Sequence, residues 1–400
     1  MSLLPTLFPA AILLFGIDYV QLGVLVSAGY LANVVAQPLA GRFSDVIEPR
    51  KLLSVGIGIM GVSCAVIAYA PNYSLLLVGA ILLRVGSSFY HPIANSVVSR
   101  TTDAGKSADR RMGIQSAFGD LGSLVIFSGA ALLYSILGWK TPFLLFAAVD
   151  LVFSFVVYYL LGNINSEIRR GIRNESKADP QQVVGIEEIE NTLIGSATTE
   201  LSQRKSGPYK LPVSFFFVAS FIGAGAYAVI LNFANSFLSH EFGSIVTADL
   251  LVSLWLAAFV AGDFACGELS KKVGRPRLIL IAYGISAVLG IIFSIAVHNP
   301  IYATLALVGN GFALSLTFPL VYSELGSRTF NKIRERDLSS GMMFGLLFTS
   351  QVLGSAILAY AAGVLSNQTG LSTPFLVAGA LLAVIAVAGS VLVSFGAAPK

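Results

Sequence analysis

The sequence predicts an all-α membrane protein of twelve transmembrane helices, arranged as two pseudo-symmetric six-helix bundles. Three observations predict it. Apolar residues come in blocks long enough to cross a bilayer. Basic residues gather in alternate connections between those blocks. One stretch from the first half of the chain recurs in the second half at a fixed offset.

Of 400 residues, 55% are hydrophobic and 12% are charged, against about 25% charged in an average soluble domain. The apolar runs fall at 3–17, 22–42, 52–70, 74–98, 112–136, 141–162, 211–239, 249–270, 277–297, 301–324, 338–363 and 372–396. A helix needs roughly 20 residues to cross the hydrocarbon core. Lipid offers no hydrogen bonds to the backbone, so each run must satisfy its own and is helical. The first run carries Pro5 and Pro9 and supplies only about 22 Å of helix, against a core of about 30 Å. An N-terminally truncated first helix is therefore expected. Cys64 and Cys266 lie in or beside apolar runs and are expected as free thiols.

The charges sort by side. Arg42, Arg50 and Lys51 follow the second run, and Arg100, Lys106, Arg110 and Arg111 follow the fourth. Seven basic and seven acidic residues lie in 163–210. Lys271, Lys272, Arg275 and Arg277 follow the eighth run, Arg328, Lys332, Arg334 and Arg336 the tenth, and Lys400 ends the chain. Lys140 stands in an opposite-side connection, and Arg84 within a span. By the positive-inside rule the basic connections and both termini face the cytoplasm. The expected setting is the plasma membrane.

The stretch "AGRFSDVIEPRKLLSVG" from Ala40 aligns without gaps with "CGELSKKVGRPRLILIA" from Cys266. It pairs Gly41 with Gly267, Ser44 with Ser270 and Lys51 with Arg277. The same offset sets residue 1 against Tyr227, inside the seventh run. The expected organisation is a six-helix bundle over 1–162, a cytoplasmic linker over 163–210 and a second bundle over 211–400. The linker reads as a solvated tether, with a short helix around "VVGIEEIENTL" as the alternative. Two repeats about a linker read as a transporter with its site where they meet.

The loop Gly41-Arg42-Phe43-Ser44-Asp45-Val46-Ile47-Glu48-Pro49-Arg50-Lys51 resembles the signature between helices 2 and 3 of the major facilitator superfamily. It has Glu48-Pro49 where Gly-Arg is usual. The second copy keeps Gly267, Gly274, Arg275 and Arg277, with Lys271 in place of the acid. More narrowly, "YVQLGVLVSAGYLANVVAQPLAGRFSD" and "FYHPIANSVVSR" resemble the fosmidomycin-resistance branch. The resemblance implies that spans 1, 4, 7 and 10 line a central cavity. It also implies a gating role for the loop, with Asp45 near Arg50 as a charge latch; an ordinary topology-setting loop is the alternative.

Arg84, Ser88, His91 and Asn95 are spaced 4, 3 and 4 apart, which puts them on one helical stripe. An arginine inside a span costs about 2.5–3.5 kcal/mol on insertion scales, so it marks function by default. Asp120 in the fifth run is the expected counter-charge. Arg84, His91 and Asp120 form a candidate proton-coupling group. Binding of an anionic substrate by Arg84 and a purely structural ion pair remain open. Ser88, Asn95, Gln115, Asn232, Asn235, Asn310 and Gln351 are candidate cavity contacts, with interhelical hydrogen bonding as the alternative. Asn33 and Gln37 are weighed in the same way. Asn310 occupies the repeat position of Arg84, and Asp263 that of Gln37. Asp263 is expected near Lys271 at the cytoplasmic boundary, and Asp150 has no assigned role. Gly119, Gly122 and Gly129 are expected to allow close helix contact.

No Gly-rich loop followed by Lys and Ser or Thr occurs, so ATP-driven transport is not indicated. His91, His240 and His298 are scattered, and no metal site, cofactor or catalytic set is expected. Nucleic acid is excluded as a partner, because topology accounts for the basic residues. The expected function is alternating-access secondary transport of small organic molecules, as proton-coupled efflux by an antiporter. The expected partners are a small-molecule substrate, protons and the lipid bilayer, with the chain a monomer. Alternatives are a uniporter or importer of an anionic metabolite, or a non-transporting membrane sensor.

Overall fold

The computed structural model describes residues 3–90, 108–175, 211–296, 298–333 and 340–396. The described residues form thirteen α-helices and no strand. They are α1 (Leu3–Thr6), α2 (Phe8–Phe15), α3 (Tyr19–Val46), α4 (Pro49–Ala68), α5 (Tyr73–Ser88), α6 (Ala108–Leu137) and α7 (Lys140–Glu175). In the second half come α8 (Val213–Phe242), α9 (Ile245–Val273), α10 (Arg275–Ala296), α11 (Pro300–Ile333), α12 (Ser340–Thr369) and α13 (Thr373–Gly396).

Ten of these are long and apolar enough to cross a membrane. The 16-residue α5 takes the place of the fourth expected span, and the α1–α2 pair that of the first. The break between α1 and α2 has a local cause. Pro9 lies in the first turn of α2, where its missing N–H costs nothing, whereas mid-helix it would block the preceding turn.

Pro38 and Pro319 lie inside α3 and α11. Neighbouring helices and side chains make such prolines tolerable in membrane helices. At 36 residues, α7 is about 54 Å long and overruns the hydrocarbon core. It continues to Glu175, past the boundary expected at 162. The remainder of the linker, 176–210, lies outside the described residues, as does the alternative helix around "VVGIEEIENTL".

The connections differ at the two ends of the bundle. Opposite the basic loops, turns are short and capped. Asp18 and Gln21 form a reciprocal capping box on α3, Asn72 caps α5, and Ser244 caps α9. Each satisfies backbone N–H groups that a helix start leaves orphaned. At the basic end Gly274 closes α9 with φ of 86°, a conformation that strains residues with a Cβ. Its repeat partner Glu48 takes an ordinary φ of −57° and starts α4 through Pro49. The two copies of the signature loop thus turn by different backbone routes.

The repeat in sequence is a repeat in packing. α4 packs on α5 and α7, and α3 packs on α5. Six spans later α10 packs on α11 and α13, and α9 packs on α11. Small side chains carry many of these contacts. The Ser54 and Ser154 hydroxyls meet at 3.0 Å between α4 and α7, and the Tyr283 hydroxyl donates to the Ala219 carbonyl between α10 and α8. The Phe153, Phe155 and Tyr159 side chains of α7 are exposed, as expected for a face turned to lipid.

Helices from the two ends of the chain meet along two long seams, α6 on α9 and α3 on α12. In the α3–α12 seam a Cβ added at Gly23 would sit 3.1 Å from the Gly363 Cα, and the Ser27 hydroxyl donates to the Ala356 carbonyl. In the α6–α9 seam the Gly113 backbone lies against the Asp263 carbonyl oxygen. This corrects one expectation: a Cβ added at Gly119, Gly122 or Gly129 meets nothing within 4 Å among the described residues. Close approach of α6 depends on Gly113, because that face, and not the Gly119 face, is turned to α9.

Candidate functional site

The α6–α9 seam brings two acids together. α6 leaves the basic end and α9 returns to it, so the two run antiparallel. Each Cα–Cβ bond tilts toward its own helix N-terminus. Asp120 therefore leans toward the basic end and Asp263 leans away from it, and their carboxyl groups meet as an interacting side-chain pair. Asp120 is partly buried and Asp263 is 1% exposed. Neither oxygen of Asp263 has an N–H or hydroxyl donor among the described residues. A hydrogen bond between the two acids requires that one of them carry a proton.

Asp263 is thus not the boundary residue that the sequence predicts. It lies two turns from Lys271, whose ammonium pairs instead with Glu268 at 2.7 Å. The depth of Asp263 along its own helix did not reveal which neighbouring helix it faces.

Arg84 stands nearby on α5. Its guanidinium carbon lies 4.1 Å from the centre of the Tyr30 ring of α3, within cation–π range. Gly29 makes the room, since a Cβ there would come within 2.8 Å of the Arg84 Cγ. From the second half, Tyr227 of α8 enters an aromatic group with Trp255 at 5.4 Å, Phe259 at 5.2 Å and Phe318 at 6.1 Å. Tyr227 is within electrostatic range of Asp120, Asp263, Tyr30 and Arg84. Tyr322 of α11 feels the same two acids and donates its hydroxyl to Gln351 Oε1 at 3.0 Å. Tyr227 is therefore the common neighbour of the Arg84–Tyr30 pair and of the two acids. Sequence reasoning missed Tyr30, Tyr227 and Tyr322, because an aromatic residue in an apolar run looks like packing. Asp263 carried a usable signal as an ionisable residue within a span.

The other expected site residues divide. Ser88 is fully buried, and its hydroxyl donates to the Val85 carbonyl of its own helix. Asn232 donates to the Ala228 carbonyl in the same way. Asn235 donates to the Thr6 carbonyl and ties α8 to α1. The amide carbonyls of both asparagines are buried without a donor among the described residues. Asn310 is a packing node: its Nδ2 donates to the Ser286 carbonyl and hydroxyl, and its Oδ1 accepts from Trp255 Nε1. Gln351 keeps its Nε2 buried without an acceptor among the described residues. Asn33 and Gln37 are buried on α3, each with its amide oxygen similarly lacking a donor. Asp150 packs beside Gly61, in the contact between α7 and α4. His91 and Asn95 lie outside the described residues, as does the Gln115 side chain.

In the signature loop, Arg50 Nε pairs with Glu48 at 2.6 Å, and its guanidinium lies over the Tyr158 ring. The Asp45 side chain and the surroundings of Gly41 lie outside the described set. Lys51 is exposed and Gly267 buried. In the second copy Arg275 reaches Glu324 of α11 at 3.9 Å, while Arg277 is exposed. An apolar crevice of about 770 Å³ lies among α9, α10 and α11. Its lining, which includes Leu254, Ala258, Ile281, Ile285 and Phe312, offers no polar side chain.

The chain is 30% identical over 132 residues to the vesicular acetylcholine transporter of Rattus norvegicus, a match spanning 33% of this chain and about a quarter of that protein, 25%. It is 23% identical to multidrug resistance protein 2 of Bacillus subtilis over 91% of this chain and 84% of that one. It is 25% identical to the fosmidomycin resistance protein of Escherichia coli over 92% of this chain and 83% of that one. Among solved structures, a D-xylose–proton symporter superposes with a TM-score of 0.72 at 12% identity, covering 97% of this chain and 93% of that one. The model of the Major Facilitator Superfamily matches residues 1–327 and again 215–399, and this chain, with ten described helices long and apolar enough to cross a membrane, belongs to that superfamily.

Proposed function

We propose that the chain is a proton-coupled exporter of small organic molecules, working by alternating access between bundles 1–162 and 211–400. The observation that carries this reading is Asp120, a carboxyl group held at the α6–α9 seam between those bundles, against Asp263. A buried ionisable group in a membrane span is expensive and marks an ion or proton path. Tyr227 and Phe318, the partly exposed members of the aromatic group, offer ring surface to an apolar or cationic substrate. The multidrug and fosmidomycin resistance proteins, similar over nearly the whole chain, support efflux. In this reading the protein is a plasma-membrane monomer. The basic loops, the 163–210 linker and both termini are cytoplasmic, in keeping with the distribution of Lys and Arg. The loops around Gly41 and Gly267 gate the cytoplasmic side.

The test is reconstitution in liposomes with an acidic lumen. Fosmidomycin and ethidium serve as probes. The expected result is uphill accumulation of a probe that collapses when the gradient is dissipated. Asp120→Asn should lose uphill accumulation and retain probe binding. Full uphill accumulation by that variant would remove Asp120 from the mechanism.

A second reading has one observation in its favour: Arg84, a cation within a span, stands at the centre. In that reading it binds a carboxylate or phosphate, and the chain is a uniporter or importer of an anion. Probe movement that carries net charge and ignores the pH gradient would favour it.

A further inference from the structure

The Asp120–Asp263 pair joins one helix from each half of the chain, and the pseudo-symmetric seam lacks it. The repeat offset puts Gln37 where α9 has Asp263, and Leu346 where α6 has Asp120. Among the described side chains, the α3–α12 seam closes on Gly23, Gly363 and Ser27 without an acid. Packing the two halves together therefore does not call for two carboxyl groups. Burying a carboxylate without a donor is costly, and Asp263 is 1% exposed with neither oxygen given one among the described residues.

Among the described residues of α6 and α9, no basic side chain is seen to pair with either acid. Tyr227 of α8 and Tyr322 of α11 lie within electrostatic range of both acids, and Tyr227 is also within range of Arg84 of α5 and Tyr30 of α3. Glu324 of α11 is engaged with Arg275 of α10, and the α10 hydroxyl of Tyr283 bonds to Ala219. On α7, Asp150 packs toward α4. On α9 itself, Cys266 abuts Gly113, and Asp249 is buried some four turns away, near the start of the helix.

We propose that Asp120 and Asp263 form one shared-proton latch across the α6–α9 seam. With the proton in place the acids hydrogen-bond and hold the seam shut. When the proton passes to water, two carboxylates are left facing each other, and their repulsion drives α6 and α9 apart toward the basic end. The step breaks one O–H bond, transfers one proton to water and needs no other reactant. It rests on the proton-coupled reading above. It adds Asp263 as the second member of the site and names the seam that moves.

The test is hydrogen–deuterium exchange of the full chain in lipid nanodiscs at about pH 5.5 and about pH 8, with rates corrected for intrinsic exchange. Peptides from α6 and α9 report the latch, and those from α3 and α12 are the reference. In the wild type, α6 and α9 should exchange several-fold faster at the higher pH, with α3 and α12 unchanged. Asp263→Asn keeps the shape and supplies a permanent N–H donor to Asp120. It should stay slow at both pH values and lose uphill transport, and Asp120→Asn should match it. Exchange in Asp263→Asn that still follows pH as in the wild type would overturn the latch, as would a wild-type seam indifferent to pH. Proton-driven transport with an indifferent seam removes the latch and leaves the export reading. A pH-sensitive seam that Asp263→Asn silences, in a protein whose transport ignores the gradient, keeps the latch and removes the export reading.

Discussion

Gly113 of α6 lies directly against the backbone carbonyl oxygen of Asp263 on α9, with no side chain between them. Backbone cannot yield as a flexible side chain does, so a Cβ here must push the helices apart. Gly113→Val should destabilise the protein by about 1–3 kcal/mol, the usual cost of overpacking. It should also slow transport, since the same contact sets how closely Asp120 and Asp263 approach. Thermal unfolding in detergent and probe flux in liposomes check both. A variant with wild-type melting and flux would mean that the seam has slack at this point.

Gly129, on the same helix, is the control. A Cβ built there meets nothing within 4 Å among the described residues. Gly129→Ala should gain helix propensity without a clash, worth up to about 1 kcal/mol. The expected outcome is an equal or higher melting temperature with unchanged flux. A loss as large as that of Gly113→Val would show that α6 tolerates no added bulk anywhere, and would void the argument from contact.

Asn310 makes three hydrogen bonds among α9, α10 and α11. Asn310→Ala leaves the Trp255 indole N–H and the Ser286 carbonyl and hydroxyl without their partner, in a place that water does not reach readily. The expected loss is about 1–3 kcal/mol of stability. Transport by the surviving folded fraction should be close to normal, because Asn310 is committed to packing. A substrate-specific defect at unchanged stability would return Asn310 to the cavity. Melting curves and flux per folded molecule separate the two.

The contrast between Arg84 and Asn310 shows what the sequence can and cannot reveal. Helices, their order and their repeat are legible because hydropathy and charge placement are one-dimensional signals. Arg84 and Asp120 stand out for the same reason, as charges in apolar runs. The facing of one helix on another is a matter of rotational phase, which a single helix does not encode. Hence the contact glycine of α6 is Gly113, while Gly119, Gly122 and Gly129 have no described neighbour. Hence also Asp263 meets Asp120, and Lys271 turns to Glu268. Helix ends beyond the hydrocarbon core follow local propensity more than hydropathy, which explains how α7 can run on to Glu175. The repeat pointed to Asn310 as the counterpart of Arg84, but symmetry of backbone does not entail symmetry of role.

The Arg84–Tyr30 stack offers the last prediction. The guanidinium lies 4.1 Å from the ring centre, so the ring face, and not the hydroxyl, carries the interaction. Tyr30→Phe keeps that face and should leave transport close to wild type. Tyr30→Leu removes it, at a cost of about 0.5–2 kcal/mol, which corresponds to about 2–30-fold in rate if the loss falls on the transport barrier. Arg84→Lys keeps the charge but loses the planar stack, and should fall between the two. The measurement is initial flux of one probe across the four proteins at matched folded amounts. If Tyr30→Phe is as impaired as Tyr30→Leu, the hydroxyl is the functional group and the stack is incidental. If all three match the wild type, Arg84 is held by other partners and its position over the ring has no bearing on transport.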